Sequence, residues 1–136
     1  MLTVHHIGYA VADLKQSLEM FIKLGYTIIG EPINDEKRNV EIAFVQNNGY
    51  LVELISPLND KSPIRNYLNK IGNTPYHLCY ETDNMDEAIA ELRKQRYLLV
   101  EKPSAAIAID DHRVAFLYHP KYGLLELLET GNSSEA

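Results

Sequence analysis

His6-Ile7-Gly8-Tyr9-Ala10-Val11-Ala12-Asp13-Leu14 and, seventy-one residues on, His77-Leu78-Cys79-Tyr80-Glu81-Thr82-Asp83-Asn84-Met85 follow one plan. In each, a histidine opens a β-type run with Tyr at the fourth position, and a polar turn then leads into an amphipathic helix. Each half also closes on a similar strand, Val52-Glu53-Leu54-Ile55 in the first and Leu125-Glu126-Leu127-Leu128 in the second. The separation of histidine from glutamate is nearly the same in both halves. Self-similarity at a fixed offset marks a duplicated supersecondary unit. Here it also delivers two matched His–Glu pairs, four potential metal ligands.

The first copy unfolds outward from His6. Residues 3–11 alternate, with Val4, His6, Gly8 and Ala10 on one face and His5, Ile7, Tyr9 and Val11 on the other, which predicts a strand. Asp13 is placed as N-cap with Gln16 as its capping-box partner. The helix that follows presents Leu14, Leu18, Phe21 and Ile22 on its apolar side and stops at Gly25. Tyr26 to Ile29 is a further strand, and the polar stretch Asn34 to Asn39 a loop. Val40 to Val45 and Tyr50 to Ile55 flank Asn47-Asn48-Gly49, whose Asn-Gly suits a tight hairpin turn.

A connector helix comes next, with Ser62 as cap, Pro63 at its first position, Ile64, Tyr67, Leu68 and Ile71 as its stripe, and Gly72 at its end. The second copy repeats the plan. A strand runs from Tyr76 to Thr82, and Asn84 caps a helix that buries Met85, Ala88, Ile89 and Leu92. Strands then run near Tyr97–Glu101, Arg113–Tyr118 and Leu124–Leu128, with His119 to Gly123 as the last hairpin loop. The chain therefore reads as one α+β domain over residues 1–129, built of two tandem βαβββ modules (3–57 and 76–129) joined by the connector 58–75. A small, polar tail (130–136) is expected to fray. One helix covers one face of each four-stranded sheet, leaving the other face free to line a site.

Composition narrows the partners. The chain has 136 residues, 46% hydrophobic and 24% charged, which is ordinary for a globular domain. A net charge of −6 argues against a nucleic-acid partner, which needs a cationic surface. No apolar run approaches the eighteen or so residues of a membrane span. Cys79 is the single cysteine, so no internal disulfide forms, and no signal segment opens the sequence. A cytoplasmic location is the expectation.

The duplicated module, with His6-Ile7-Gly8 opening one half, His77 the other, and a glutamate in each closing strand, resembles the vicinal oxygen chelate superfamily. Within it the chain is similar to glyoxalase I and to methylmalonyl-CoA epimerase. The resemblance runs from His5 to Glu129, with Ser62-Pro63-Ile64, the run His77 to Leu92, Ala115-Phe116-Leu117 and Leu125-Glu126-Leu127 as further carriers. It implies a curved, half-barrel sheet around a metal site, one divalent ion held by His6, Glu53, His77 and Glu126, and a homodimer. It also implies Glu126 as both ligand and proton carrier. The epimerase has a second acid/base glutamate in the loop before Ala43-Phe44. An ungapped count back from Glu53 reaches Asp35-Glu36-Lys37-Arg38, which makes Glu36 the candidate for that role.

The residues support a site in their own right. His6 shares a strand face with Gly8 and Ala10, whose size leaves room before the imidazole. Glu53 and Glu126 stand among Val52, Leu54, Leu125 and Leu127, where a bare carboxylate is costly. Two carboxylates and two imidazoles around a dication relieve that cost, and the mixed N/O set suits Ni, Co or Zn. A lone strand histidine is more often a core residue and a lone strand glutamate more often solvated, but a repeated pair demands four coincidences. His5, on the opposite face, and His112 and His119, near turns, have no such support. Cys79 reads as a small buried hydrophobe.

The chemistry implied is proton transfer at a carbon next to a carbonyl, through an enediolate. The lean is to glyoxalase I, acting on a thiohemiacetal; the alternative is methylmalonyl-CoA epimerase, acting on an acyl-CoA thioester. Two readings from other classes share the module: a metal-free antibiotic-binding protein, which lacks the ligands, and an extradiol dioxygenase with a 2-His-1-carboxylate iron site.

Overall fold

The computed structural model describes residues 2–130. In chain order the elements are β1 (Thr3–Ala10), α1 (Leu14–Lys23), β2 (Thr27–Asp35), β3 (Val40–Asn47) and β4 (Tyr50–Pro57), then the connector helix α2 (Pro63–Ile71). The second series is β5 (Thr74–Thr82), α3 (Met85–Lys94), β6 (Leu98–Ala106), β7 (His112–His119) and β8 (Gly123–Glu129). A single 3-10 turn, Ile107–Ile109, joins β6 to β7. Residues 6–76 form one compact unit; residues 77–130, together with 2–5, form the other. The tail expected from residue 130 lies outside the described residues except for Thr130, whose N–H donates to the Thr82 carbonyl at 2.9 Å.

The βαβββ plan holds in both halves. The first has strand order β2-β3-β4-β1 and the second β6-β7-β8-β5. β1 runs parallel to β4, and β5 parallel to β8; the remaining pairs are antiparallel hairpins. The β3–β4 hairpin turns at Asn48 (φ 53°) and Gly49 (φ 84°), the two positive angles of a type I′ turn. On the helix side of the first module, Leu14 packs with Val11, Ala43, Val45, Val52 and Leu54. In the second, Met85, Ile89 and Leu92 of α3 pack with Ala115, Leu117 and Leu127. A fully buried leucine such as Leu54 or Leu127 contributes about 2 kcal/mol by leaving water.

The helix caps follow the sequence in two cases and depart from it in one. The Asp13 carboxylate accepts from the Gln16 N–H at 2.9 Å, and the Asn84 side-chain oxygen from the Glu87 N–H at 3.0 Å. Ser62 also precedes its helix in extended backbone, but its hydroxyl makes no capping bond and is buried without a partner. Its backbone, at φ −63° and ψ 137° before Pro63, is extended like that of Asp13 and Asn84. The expected stripes also narrow, since Ile22 and Ile71 are exposed.

β2 runs through Asn34 to Asp35, where a loop was expected. Its register on β3 slips between Ile29 and Ile33, a bulge containing Gly30 at φ 69° and Pro32. The slip lets the strand resume beyond the proline. Asp35 then ends it by accepting from the Arg38 N–H (3.1 Å) and pairing with the Arg38 guanidinium (3.0 Å). At the far end of the chain, Glu129 takes two bonds from Arg113 and one from the Met85 N–H at the start of α3. The hydrogen bond from Arg113 holds the Glu129 carboxyl below its usual range.

Both long helices end in a Schellman motif. In α1 the Tyr26 N–H reaches the Phe21 carbonyl and the Gly25 N–H the Ile22 carbonyl. In α3 the Tyr97 N–H reaches Leu92 and the Arg96 N–H reaches Arg93. Gly25 sits at φ 107°, but the equivalent residue of the second module is Arg96, at φ 76°. A side chain in left-handed backbone costs roughly 1–2 kcal/mol. Arg96→Gly is therefore expected to stabilise the protein by about 1 kcal/mol, a rise of about 3–5 °C in Tm for a chain of this size. Calorimetry or urea unfolding reads the change, and a drop in stability would show that the Arg96 side chain outweighs its backbone cost.

Candidate metal centre

Each module builds one His–Glu pair by the same register. In the first, β1 lies parallel to β4 with Gly8 opposite Glu53, so His6, two residues earlier, shares the face of Glu53. Its Nε2 is 3.2 Å from the Glu53 carboxylate. In the second, Cys79 of β5 lies opposite Glu126 of β8, and His77 Nε2 is 2.9 Å from the Glu126 carboxylate. All four residues are buried, at 1% (His6), 4% (Glu53), 5% (His77) and 4% (Glu126) exposure.

A phenylalanine steadies each imidazole. Phe44 of β3 faces Glu53 across the hairpin, and its ring meets the His6 ring edge-on, centroids 5.7 Å apart. Phe116 of β7 faces Glu126, and its ring meets His77 in the same way at 5.3 Å. The sequence reading gave these phenylalanines no role, although Ala43-Phe44 and Ala115-Phe116 repeat at nearly the offset of the histidines.

The donor set fits a divalent ion. Nitrogen and oxygen ligands stand about 2.0–2.2 Å from such a metal, so two donors at right angles around it lie about 3 Å apart. Both pairs meet that spacing. It is also the spacing of a hydrogen bond, which His77 Nε2 and Glu126 form at 2.9 Å. With neutral imidazoles, two buried carboxylates call for positive charge beside them, which a divalent ion would supply.

The other candidates fall away. Glu36 is exposed on the turn between β2 and β3. That turn precedes Val40, and Phe44, which marks the row of Glu53, stands about 13 Å further along β3 by strand rise. His119 accepts from the Lys121 N–H at 3.0 Å and packs on Tyr97, a structural role in the last hairpin. Cys79 is fully buried among Ala106, Val114 and Leu128, the hydrophobe expected. Tyr80 and Tyr122 share a hydrogen bond of 2.6 Å, and burial, then Tyr80, pushes the Tyr122 phenol up from its usual value. Among the described residues, no helix is long and apolar enough to cross a membrane.

Comparison with known proteins agrees with this geometry. Residues 5–116 match the model of the Glyoxalase/Bleomycin resistance protein/Dioxygenase superfamily, a match that holds three of the four candidate ligands and ends before Glu126. The chain is 29% identical over 119 residues to the mitochondrial methylmalonyl-CoA epimerase of Dictyostelium discoideum, covering 87% of this chain and 70% of that protein. It is 30% identical over 119 residues to the mitochondrial methylmalonyl-CoA epimerase of Bos taurus, covering 86% of this chain and 66% of that one. The chain thus spans about two thirds of the length of these relatives. The crystal structure of methylmalonyl-CoA epimerase from Mycobacterium tuberculosis matches with a TM-score of 0.81 at 27% identity, over 98% of this chain and 91% of that chain. With its duplicated βαβββ module and its matched His–Glu pairs, the chain belongs to the glyoxalase/bleomycin resistance/dioxygenase superfamily.

Proposed function

We propose that the His6–Glu53 and His77–Glu126 pairs hold one divalent cation between them and that the chain epimerises an acyl-CoA thioester at its α-carbon, with methylmalonyl-CoA as the substrate. The carrying observation is the likeness to methylmalonyl-CoA epimerases over nearly the whole chain. The sequence reading leaned to glyoxalase I and held the epimerase as its alternative. The relatives favour the epimerase, and the proposal follows them.

When bound, a divalent ion supplies Lewis-acid stabilisation of negative charge on an oxygen. His6, Glu53, His77 and Glu126 would hold it, with Phe44 and Phe116 fixing the two imidazoles. Glu126 takes the proton from the carbon beside the thioester carbonyl. Its burial keeps competing water away from the carboxylate and makes each fixed charge nearby count for more. The homodimer expected from exposed sheet edges belongs to the same proposal: β2 and β6 end the strand orders of their modules, with Ile28, Ile29, Leu98 and Val100 exposed.

The test is an assay of metal-reconstituted protein with single epimers of methylmalonyl-CoA and, in parallel, with the thiohemiacetal of methylglyoxal. Interconversion of the thioester epimers is the expected result. Turnover of the thiohemiacetal alone would return the chain to the glyoxalase I reading, and turnover of neither would overturn both.

A further inference from the structure

The connector helix differs from the other two at its N-terminus. The first-turn N–H groups of a helix lack intrahelical acceptors and, with the helix dipole, favour negative charge. α1 meets this with the Asp13 carboxylate, which accepts from the Gln16 N–H. α3 meets it with the Asn84 side-chain oxygen and with the Glu129 carboxylate, which accepts from the Met85 N–H at 2.9 Å. α2 has neither a side-chain capping bond nor an acidic residue in its first turn. Pro63 brings no N–H, and the Arg65 N–H goes to the Ser62 carbonyl at 3.0 Å. The Ile64 N–H remains as a first-turn donor without an intrahelical acceptor.

Two side chains at this end carry buried donors of their own. Ser62, the N-cap residue, is 3% exposed, and its hydroxyl has no hydrogen-bond partner among the described residues. The Arg65 Nε–H makes no hydrogen bond either. Its ion-pair partner, the Asp60 carboxylate, stands 3.7 Å away, beyond hydrogen-bonding distance. A buried donor without an acceptor is costly, and two of them at one helix end point to a ligand that brings its own oxygens. The loop ahead of the helix is firmly tied. Asn59 Oδ1 accepts from the Asn39 side chain and from the Lys61 N–H, both at 2.9 Å, and the Ser62 N–H reaches the Asn59 carbonyl at 3.1 Å. Asp60 and Arg65 are not so held: their side chains are 98% and 30% exposed, so both can turn into water and admit a ligand.

We propose that the N-terminus of α2 binds a phosphate group, held by the Ser62 hydroxyl, the Ile64 N–H and the Arg65 guanidinium, with Asp60 as the internal carboxylate it displaces. A helix N-terminus offers N–H groups and positive potential to such an anion. The guanidinium fork matches the spacing of phosphate oxygens, and its charge strengthens each bond. Asp60 already shows the preference of this end for an anion, but its carboxylate stands too far from Nε to satisfy it. A phosphate carries more charge and enough oxygens to serve all the donors together. Two sources carry this chemistry: free inorganic phosphate, and the phosphates of the coenzyme A borne by the proposed substrate. Only the second rests on the epimerase reading.

The experiment follows inorganic phosphate by phosphorus NMR as protein is added, at constant ionic strength made up with chloride. The wild-type protein is expected to bind it saturably, about one equivalent per chain. Arg65→Gln should lose about tenfold or more in affinity, and Ser62→Ala about three- to tenfold. Asp60→Asn, which removes the competing carboxylate, should gain about two- to fivefold. In chloride alone Ser62→Ala should melt where the wild type does, because its hydroxyl has no bond to lose. Competition reads the source. Coenzyme A that displaces phosphate, where pantetheine does not, identifies the coenzyme as carrier of the group, and failure of both assigns the site to free phosphate. Displacement by pantetheine, which has no phosphate, would overturn the proposal. So would the absence of saturable binding, or unchanged affinity in both Ser62→Ala and Arg65→Gln. Turnover of the thioester is not read in any of these arms, so the epimerase reading stands or falls separately.

Discussion

Glu126→Gln is expected to bind its metal more weakly but still detectably, and to lose about a hundred- to ten-thousand-fold in turnover when saturated with metal. The amide oxygen can coordinate, but it cannot accept a proton near neutral pH. Glu53→Gln is the matched control. It sits in the same register of the first module, is equally buried, and changes the charge by the same amount. Its cost should lie in affinity, so excess metal should rescue Glu53→Gln far better than Glu126→Gln. A metal titration of both variants, with turnover and solvent deuterium exchange as readouts, separates the two. Equal rescue would show that Glu126 is not the base.

What the sequence disclosed was whatever the duplication writes twice. His6 and His77, Glu53 and Glu126, and the caps Asp13 and Asn84 recur at near-constant offsets, and all serve as their spacing implied for pairing and helix starts. The features that escaped it depend on the backbone or on cross-strand register. Arg96 occupies a left-handed position without the glycine that usually announces one. Bulges at Pro32 and before Ser104 carry β2 and β6 past the prolines that mark a strand's end in a one-dimensional reading. Glu36 was sought by counting along the chain, but a residue's place in a site depends on its row across strands. Its place across the strands leaves Glu36 exposed on a turn.

Replacing either histidine tests whether the two pairs serve one ion or two. If one ion is shared, the wild-type protein binds about one equivalent, and both His6→Ala and His77→Ala lose it, with affinity down by well over the 10- to 100-fold typical of an outer-shell partner. If each pair held its own ion, each variant would keep the site in its intact module and bind half the wild-type content. Elemental analysis after gel filtration distinguishes these results directly. Stability gives an independent check, because a ligand at a hundred times its Kd adds about 2.7 kcal/mol to the folded state. The wild-type melting temperature should therefore climb with added Ni, Co or Zn, and both variants should be nearly indifferent to it. Each variant also leaves a carboxylate, Glu53 or Glu126, buried without its imidazole, so its metal-free form should melt below the metal-free wild type. Full metal content in both variants would dissolve the site, whatever the activity of the protein proved to be.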